Sequence, residues 1–149
     1  MNHIRTATLQ DLDALSVLFD GYRVFYKQAT DIDAAKAFLK ARIEKNESVI
    51  FVSTTKAQQL TGFVQLYPLF SSTRMKRLWL LNDLFVDPTF RGQGISKLLI
   101  ENSQSLCRET DACGLLLETA KTNDIGNKLY PSTGFELDSD HNYYCWDVL

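Results

Sequence analysis

The residues best suited to chemistry lie in a glycine-containing turn between an apolar segment and an amphipathic one. The turn, residues 91–96, reads RGQGIS, and Pro88 precedes it. Gly92 and Gly94 allow the backbone to bend close to a ligand, and Pro88 forbids a continued strand ladder. If a helix begins near Gly94, its free backbone N–H groups and the positive end of its dipole point out of the turn. The pattern therefore predicts a cradle for an anion such as a pyrophosphate.

Two commoner nucleotide-binding loops do not match this turn. A dinucleotide-binding turn has a third glycine three residues after the second, where this chain has Lys97. The phosphate loop of nucleotide-hydrolysing enzymes requires Gly-Lys-Ser/Thr, which does not occur in the sequence. What remains is an arginine at 91, a glycine at 94 and a serine at 96, placed directly after a predicted strand.

An apolar segment leads into the turn. Residues 78–86 are dense in leucine, phenylalanine and valine, which is typical of a strand buried on both faces. Asn82 and Asp83 interrupt this segment, and two polar residues at such a place need a reason. After the turn, apolar residues recur near helical spacing from Ile95 to Leu106, so we predict a helix with one largely apolar face.

Helical and alternating apolar patterns organise the rest of the chain. Helices are predicted at about residues 12–26, where Gly21 suggests a break or a bend, at about 33–45, and at about 123–130. Strand-forming segments lie at residues 4–7, 48–54, 60–67, from 115 onwards, 135–137 and 143–148. We expect Pro68 to end the strand at 60–67. This order of elements predicts an α/β fold, with one mixed sheet and helices on both of its faces.

Length and composition indicate a globular protein of one domain, residues 1–149. A chain of 149 residues buries about two thirds of its unfolded surface. The hydrophobic fraction of 45% and charged fraction of 23% are typical of this class. The net charge of -2 argues against nucleic acid as a partner, because there is no basic excess to displace counterions.

The same composition predicts no metal site, no disulfide framework and no membrane segment. The cysteines are three in number and lack CxxC spacing, and only two histidines are present. The first residues, MNHIRTATLQDLD, contain no apolar core, and no apolar run approaches 18 residues. We therefore expect a cytoplasmic protein.

Two motifs together resemble the GNAT superfamily of N-acetyltransferases. Residues 91–96 are similar to the family's coenzyme A pyrophosphate loop, Gln/Arg-x-x-Gly-x-Gly/Ala, with Ser96 departing from the last position. Residues 123–135 are similar to its N-x-x-A-x-x-L-Y-x-x-x-G-F stretch, with Gly126 in place of the alanine. The resemblance covers essentially the full length, and LNDLFVDPTFRGQG and LFDGYRVFY look most like the small Hpa-type and polyamine-type enzymes.

The resemblance implies a central mixed, mostly antiparallel sheet and an N-acetyltransferase that uses acetyl-CoA. Its acceptor would be a primary amine on a small molecule or peptide, such as a polyamine, an amino acid or a lysine side chain. Direct attack in a ternary complex, without a metal, would transfer the acetyl group. By carry-over, the coenzyme-binding residues are Leu84, Phe85, Val86, Arg91, Gly92, Gln93, Gly94, Ile95, Ser96 and Asn123. Among them, residues 84–86 would contribute backbone groups.

Acid and base roles fall on two further residues. The resemblance places the Tyr130 hydroxyl opposite the coenzyme sulfur, and a phenol is one of few neutral donors that can protonate a leaving thiolate. For the base, Asp83 and Glu118 are the candidates, and we favour Asp83. The polyamine enzymes carry a glutamate where this chain has Asn82, so Asn82 would orient a water or the substrate instead. The alternative for Asp83 is a structural ion pair with Lys76 or Arg77.

Other readings of the sequence remain open. The chain could be a non-catalytic acyl-CoA binding or regulatory domain, or a cysteine hydrolase if Cys145 reacts with help from His141. An aromatic cluster in the first helix could line the acceptor groove or belong to the core: Tyr22, Arg23, Phe25 and Tyr26. The tyrosine-rich segment 143–146 could pair with another subunit in a homodimer.

Overall fold

A computed structural model describes residues 2–149 of the chain. These residues form two compact units, the first ending at Glu118 and the second spanning Thr119–Leu149. The first unit contains a five-stranded sheet with three helices, and the second contains one helix. The sheet and the predicted glycine turn therefore lie in the first unit, and the predicted Asn123 and Tyr130 lie in the second.

The elements follow the predicted order up to the last helix. The strands are β1 (His3–Thr6), β2 (Val49–Thr54), β3 (Leu60–Ser71), β4 (Lys76–Val86) and β5 (Leu115–Leu116). The helices are α1 (Leu12–Phe25), α2 (Ile32–Glu44), α3 (Ile95–Glu109) and α4 (Asp124–Ser132). Short 3-10 turns at Leu9–Asp11 and Pro88–Phe90 precede α1 and α3.

The sheet is mixed and mostly antiparallel, as predicted. Its strand order is β1-β2-β3-β4-β5, so the chain adds each strand beside the previous one. The first three pairings are antiparallel, and only β4 and β5 run parallel. The connection between these two parallel strands contains α3, since parallel neighbours need a long crossover.

Helices cover both faces of this sheet, which confirms the predicted fold class. Phe63 and Val64 are neighbours on β3 and both are fully buried, although successive side chains point to opposite faces. Phe63 packs in a core cluster with apolar side chains of α1 and α2, including Leu15 and Leu39. On the other face α3 packs against β2, β3 and β4. A strand buried on both sides explains the near-continuous apolar runs in the sequence.

The break or bend expected at Gly21 was wrong. Helix α1 continues through Gly21 without interruption. A Cβ atom at this position would lie 3.2 Å from the Phe85 ring, which is tighter than ordinary van der Waals contact. Gly21 therefore lets α1 approach β4 closely.

The expected end of a strand at Pro68 was also wrong. Strand β3 runs on to Ser71, and Pro68 is paired with Trp79 of β4. The pairing of β3 with β2 stops at Leu66, so beyond that point β3 has a neighbour on one side only. Proline is tolerated there because its missing N–H can face the unpaired edge.

The predicted last two strands do not form. Residues 135–149 contain no strand, and the apolar side chains near the end are exposed, for example Trp146 at 84%. Aromatic and β-branched composition favours a strand only when a neighbouring strand supplies the ladder and the packing. Instead, the Asp138 carboxylate accepts hydrogen bonds from the backbone N–H groups of Asp140 and His141.

Candidate functional site

A β-bulge explains the two polar residues that interrupt the buried strand. Gln65 of β3 is paired with Asp83 of β4, but the next residue, Leu66, is paired with Leu81. Asn82 is therefore an extra residue on β4, and bulges of this kind re-aim side chains and are common beside active sites. Asn82 itself is exposed.

The bulge turns Asp83 toward the helices α1 and α2. In a regular strand Leu81 and Asp83 would share a face, since they are two residues apart. Their partners Leu66 and Gln65 are adjacent, so Leu81 and Asp83 lie on opposite faces here. Asp83 consequently faces the same side as the Phe63 cluster, inside the core.

The Asp83 carboxylate is buried and held by hydrogen-bond donors. Its exposed fraction is 3%, and the fully buried Gln65 donates from Nε2 to Oδ2 across 2.5 Å. Asn82 donates from Nδ2 to Oδ1 across 2.9 Å, and the Tyr22 hydroxyl of α1 lies beside this pair, donating to the Asn82 carbonyl across 3.1 Å. Ser48 donates to Gln65 Oε1 across 2.8 Å, which orients the amide so that its N–H group points at Asp83.

Burial and hydrogen bonding act in opposite directions on Asp83. Burial raises the pKa of the Asp83 carboxyl, and the donors from Gln65 and Asn82 partly oppose this by stabilising the anion. Burial, followed by the nearby Asp83 charge, also raises the pKa of Tyr67 to about 12. A carboxyl with a raised pKa in a hydrogen-bonded site is a stronger base than an exposed aspartate.

One edge of β4 is open next to this carboxylate. Strand β5 is paired only with Trp79 and Leu80, so in residues 2–149 no strand continues along that edge past the bulge. The Asp87 N–H donates to Thr61 on β3. Because backbone groups alternate in direction along a strand, the N–H groups of Leu84 and Val86 point to the open edge. The same alternation directs the Phe85 N–H toward β3.

The predicted glycine turn follows this edge and leads into α3. Gly92 and Gly94 both have φ of +76°, the left-handed region that glycine adopts without strain, and a Cβ at either position would meet nothing within 4 Å. Arg91 Nε donates to the Val86 carbonyl across 3.0 Å, and its guanidinium lies over the Phe85 ring at 5.5 Å.

The start of α3 is suited to an anion. Helix α3 begins at Ile95, its N-terminus has no side-chain cap, and its first turn contains no acidic residue. The exposed Lys97 adds a positive charge there. Uncapped N–H groups at a helix N-terminus bind phosphate groups through hydrogen bonds and the helix dipole.

In the second unit, Asn123 and Tyr130 belong to the same short helix. The Asn123 side chain caps α4 by accepting from the Gly126 N–H across 3.1 Å, and its Nδ2 donates to Thr119. A Cβ at Gly126 would lie 2.5 Å from Asn123 Nδ2 and 3.2 Å from the Tyr130 ring. The missing side chain thus leaves room for the asparagine and the ring. Tyr130 is half-buried and packs edge-on against Phe135, with ring centroids 5.9 Å apart.

The alternative base, Glu118, and the suggested ion-pair partners of Asp83 do not lie where the sequence predicted. Glu118 lies beyond the end of β5 and is exposed, so the expectation that it lies on a strand was wrong. The suggested ion pair of Asp83 with Lys76 or Arg77 was also wrong. Lys76 is bonded to Asp111, and the Arg77 guanidinium lies over the Phe70 and Trp79 rings.

The aromatic cluster of α1 is partly core and partly surface. The Tyr22 ring packs against Phe19 and Phe63 of the core and against Tyr26, whose ring centroid is 5.0 Å away. Phe25 is 53% exposed, and Arg23 lies 3.7 Å from the Asp20 carboxylate. The Tyr22 ring therefore packs against the core, and an acceptor groove lined by the more exposed members stays a prediction.

The cysteines are unpaired and lie in different settings. Cys107 is buried, Cys113 is half-buried and Cys145 is exposed. His141 lies near Cys145 in sequence, but its Nδ1 contacts the Asp138 carboxylate at 2.8 Å. The segment that holds both residues is not the strand that the hydrolase alternative assumed.

Sequence reasoning missed three members of the Asp83 network. Ser48, Gln65 and Tyr67 lie in predicted strands but were not singled out as functional. The sequence did contain a signal for Gln65: like Asn82 and Asp83, it is a polar residue within an apolar strand segment. A second polar interruption on a neighbouring strand is a sign that the two face one another.

Comparison with known proteins decides the family. A sequence model described as the Acetyltransferase (GNAT) family matches residues 13–135. The chain belongs to this family. GNAT enzymes transfer an acetyl group from acetyl-CoA to small-molecule or peptide acceptors, so the protein is an acetyltransferase. Its residues 91–96 are the turn whose sequence resembles the coenzyme A loop of this family.

Several individual proteins are similar to this GNAT protein over nearly its whole length. An uncharacterized N-acetyltransferase, YhfO, of Bacillus subtilis (strain 168) is 42% identical over 98% of this chain and 97% of its own. A probable acetyltransferase of Haemophilus influenzae is 32% identical over 85% of each chain. The crystal structure of a probable acetyltransferase superposes with a TM-score of 0.94 at 36% identity, covering 99% of this chain and 98% of that one.

Two negative observations concern the GNAT protein's described residues, 2–149. None of the helices there has the length and apolar character that crossing a bilayer requires. The same residues contain no group of three or more histidine, cysteine, aspartate or glutamate side chains placed to hold a metal ion.

Proposed function

We propose that this GNAT protein acetylates a primary amine with acetyl-CoA by direct attack in a ternary complex. The observation that carries the proposal is the buried Asp83 carboxylate, which lies at the bulge in the part of β4 whose edge has no neighbouring strand beyond Leu80. A base next to an edge with free backbone donors is the arrangement that acyl transfer to an amine needs.

The reaction needs a base because the acceptor amine is protonated near neutral pH. An amine with a reference pKa of about 10.4 is protonated near pH 7, and removing its proton costs roughly 5 kcal/mol. Asp83 would accept this proton, and its negative charge would attract the ammonium beforehand. The raised pKa of Asp83 makes it a better acceptor of a proton than an exposed aspartate.

The open edge and the glycine turn would hold acetyl-CoA. The outward N–H groups of Leu84 and Val86 would bond the pantetheine arm and the thioester carbonyl, while Phe85 supplies the ring beside Arg91. Donors preorganised for an oxyanion are worth about 3 to 4 kcal/mol in acyl transfer. The pyrophosphate would lie on the uncapped start of α3, bound by residues 91–96.

The leaving group needs a proton as well. When the amine nitrogen bonds to the thioester carbon, the C–S bond breaks and the thiolate takes the Tyr130 hydroxyl proton. The nitrogen then loses its surplus proton, which restores Tyr130, and the proton on Asp83 passes to solvent. Asn123 would contact the coenzyme, in addition to its observed role as the cap of α4.

The acceptor itself is proposed only as a class. A polyamine, an amino acid or a lysine side chain fits the chemistry, and the small Hpa-type and polyamine-type enzymes are the subgroups that the sequence resembles. A reaction without a metal and a cytoplasmic location remain predictions from the sequence. The alternative function is a non-catalytic acyl-CoA sensor that keeps the glycine turn.

Turnover with a panel of amines tests the proposal. Purified protein is incubated with acetyl-CoA and each amine, and release of free coenzyme A thiol is followed. We expect thiol release with at least one primary amine. If coenzyme A binds but every amine fails, the sensor alternative is favoured. Thiol release that stops after alkylation of the cysteines would instead favour a cysteine-dependent reaction.

Replacement of Tyr130 tests the proposed acid. We expect Tyr130→Phe to lower kcat by about 10²-fold, because a phenyl ring keeps the packing against Phe135 but cannot donate a proton. Ser132→Ala, which removes another hydroxyl from the same helix, is the matched control and should leave kcat unchanged. An unchanged kcat for Tyr130→Phe would remove Tyr130 from the mechanism.

A further inference from the structure

We propose that Tyr22 is a positioning residue, whose hydroxyl ties the Asn82 carbonyl at the bulge to α1 and so holds the Asn82 amide on the Asp83 carboxylate. The link to the reaction rests on the proposed function, in which Asp83 is the base. In this role Tyr22 acts through Asn82 and needs no contact with acetyl-CoA or the acceptor.

The bulge takes Asn82 out of the strand register. Among residues 2–149, the register pairs Leu81 and Asp83 with β3 but gives Asn82 no partner, and on the other side the pairing with β5 stops at Leu80. A bulge disrupts the ladder locally, so the backbone groups of the extra residue need partners outside it. Water could satisfy the Asn82 carbonyl, but only a group of the protein can fix its position.

The Tyr22 hydroxyl is such a group. It donates to the Asn82 carbonyl across 3.1 Å, although the two residues lie 60 positions apart in the chain. The bond therefore joins α1 to the extra residue of β4. A Cβ at the preceding Gly21 would lie 3.2 Å from the Phe85 ring, so glycine at this position lets α1 lie close to β4.

The Tyr22 ring is itself fixed by its aromatic neighbours. Its centroid lies 6.2 Å from those of Phe19 and Phe63 and 5.0 Å from that of Tyr26. Phe19 and Phe63 belong to the buried core cluster, and Tyr22 packs against it. Ring pairs of this kind favour a defined relative orientation. The core therefore sets the position of the hydroxyl oxygen, and rotation about the C–O bond only directs its hydrogen.

The tether matters because the two donors to Asp83 are held differently. Gln65 is fully buried, and Ser48 donates to its Oε1 across 2.8 Å, so the core holds this amide. Asn82 donates to Asp83 Oδ1 across 2.9 Å but is exposed, so core packing does not hold it. The Tyr22 hydroxyl anchors the backbone from which this amide extends. Each donor thus has its own support, Ser48 for Gln65 and Tyr22 for Asn82.

Other charged groups near Asp83 do not obscure its titration. Among residues 2–149, Tyr67 on β3 faces the carboxylate, and Arg42 on α2 acts on Tyr67 electrostatically. Burial, followed by the Asp83 charge, raises the pKa of Tyr67 to about 12, and arginine stays charged throughout the acidic and neutral range. On α1, Asp20 and Arg23 form an ion pair with each other at 3.7 Å. A titration observed at the bulge near neutral pH therefore reports on Asp83.

Titration of Asp83 itself tests the tether. In Tyr22→Phe the ring can keep its packing, but the donor to the Asn82 carbonyl is lost. The loosened amide stabilises the Asp83 anion less, so we expect the pKa of Asp83 to rise by about half a pH unit. The pKa is measured by ¹³C NMR of protein labelled at the aspartate carboxyl carbons. The Asp83 signal is assigned by its loss in Asp83→Asn.

A double variant shows whether Tyr22 acts through the Asn82 side chain. Asn82→Ala alone should raise the pKa of Asp83 by about one pH unit, because the donor is removed outright. In that background Tyr22→Phe should cause no further rise, since no amide is left to hold. Tyr22→Phe should nevertheless lower the urea midpoint of unfolding equally in both backgrounds, because the carbonyl that Tyr22 binds belongs to the backbone.

The kinetics connect the tether with the reaction. A higher pKa leaves less of Asp83 ionised at a given pH. If Asp83 is the base, the acidic limb of the kcat/KM profile for a fixed amine should move in Tyr22→Phe to higher pH by the same amount as the pKa of Asp83. A packing role alone would lower the whole profile without moving this limb. The matched control is Tyr144→Phe, which removes a hydroxyl from an exposed tyrosine of the second unit and should change neither measurement.

The outcomes separate the tether from the proposed function. An Asp83 pKa in Tyr22→Phe equal to that of the wild type overturns the tether. A rise that persists in full in the Asn82→Ala background also overturns it, because the hydroxyl would then act on Asp83 without Asn82. If the NMR titration moves as expected but the kinetic limb does not, the tether stands and Asp83 is not the base. If no amine is acetylated, the proposed function fails, and the NMR titration still decides the tether.

Discussion

At the scale of single residues, Asp83 is a carboxylate that the fold buries and then surrounds with donors. Burial alone would favour the neutral acid, because a charge is poorly solvated in a protein core. The hydrogen bonds from Gln65 and Asn82 oppose this by stabilising the anion. Ser48 contributes indirectly, since its bond to Gln65 Oε1 keeps the amide N–H group aimed at the carboxylate.

Removal of the Gln65 donor should shift the pH dependence of the reaction. In Gln65→Met the side-chain volume is similar but the bond to Asp83 is lost, so the pKa of Asp83 rises further. A smaller fraction of Asp83 is then ionised at a given pH. We expect the acidic limb of the kcat/KM profile to move to higher pH, measured by initial rates across the pH range with a fixed amine.

The same substitution at an exposed turn gives the control. Gln59→Met should leave the profile unchanged, since Gln59 is exposed in the turn between β2 and β3. A Gln65→Met profile that coincides with the wild type, or moves to lower pH, would contradict the role of Asp83 as the base.

At the scale of elements, two local irregularities shape the site in the first unit. The bulge at Asn82 turns Asp83 into the core, and the pairing of β4 with β5 stops just before it, at Leu80, so that this edge of β4 is open beyond that residue. The turn with Gly92 and Gly94 follows the 3-10 turn at Pro88–Phe90 and leads into α3, whose N-terminus has no side-chain cap. Each irregularity interrupts a regular pattern of backbone hydrogen bonds. Polar groups that such a pattern would pair within the protein are therefore left available to a ligand.

Substitution of Gly94 should cost both stability and coenzyme affinity. The left-handed backbone at φ +76° costs an L-residue about 1 to 2 kcal/mol, and no steric clash adds to this because a Cβ meets nothing within 4 Å. We expect Gly94→Ala to lower the free energy of unfolding by about this amount in urea titrations, and to weaken coenzyme A binding in calorimetry.

Gly114→Ala is the matched control for this prediction. Its Cβ would make ordinary contact with Leu78 at 3.6 Å, so little change is expected in either measurement. Equal stability of Gly94→Ala and wild type would show that the turn tolerates another backbone conformation, and unchanged coenzyme affinity would argue against the turn as the pyrophosphate site.

At the scale of the whole molecule, the exposed apolar residues of the second unit suggest a partner. Several strongly exposed ones lie near the end of the chain, among them Leu137, Tyr143, Tyr144, Trp146 and Val148. Contiguous exposed apolar side chains mark interaction surfaces in many proteins. The homodimer predicted from the tyrosine-rich segment 143–146 would bury them and give that segment the neighbouring strand it lacks.

The mass in solution tests this assembly. We expect gel filtration with light scattering to give twice the mass of one chain at micromolar concentration, and Trp146→Glu to shift the protein toward the monomer by placing a charge in the interface. Leu149→Glu, at the very end of the chain and outside segment 143–146, is the control. A wild-type protein that is monomeric at working concentration would contradict the homodimer.

Features that depend on nearby residues could be predicted from the sequence. The turn and the start of α3 follow from glycines and helical spacing within a few residues, and the stretch from Asn123 to Phe135 carries its pattern in one continuous segment. The order of elements up to α4 also followed from apolar periodicity. Such signals are local, because backbone preferences and helix ends are set by neighbours in the chain.

Features that depend on distant partners could not be predicted in this way. Pro68 lies inside a strand because β2 ends beside it, and segment 143–148 is not a strand because no neighbour pairs with it. The bulge at Asn82 became visible only from the register between β3 and β4.

The sequence by itself therefore determined the family, the order of the main elements and the glycine turn before α3, since these depend on residue type and short spacing. Only the tertiary structure decided which face Asp83 points to and which groups surround it. Gln65 lies 18 residues away along the chain, and the Tyr22 hydroxyl reaches the bulge at Asn82 across 60 residues. Contacts of this kind arise when the register of a sheet and the packing of a helix bring separate segments together, and no local pattern encodes them.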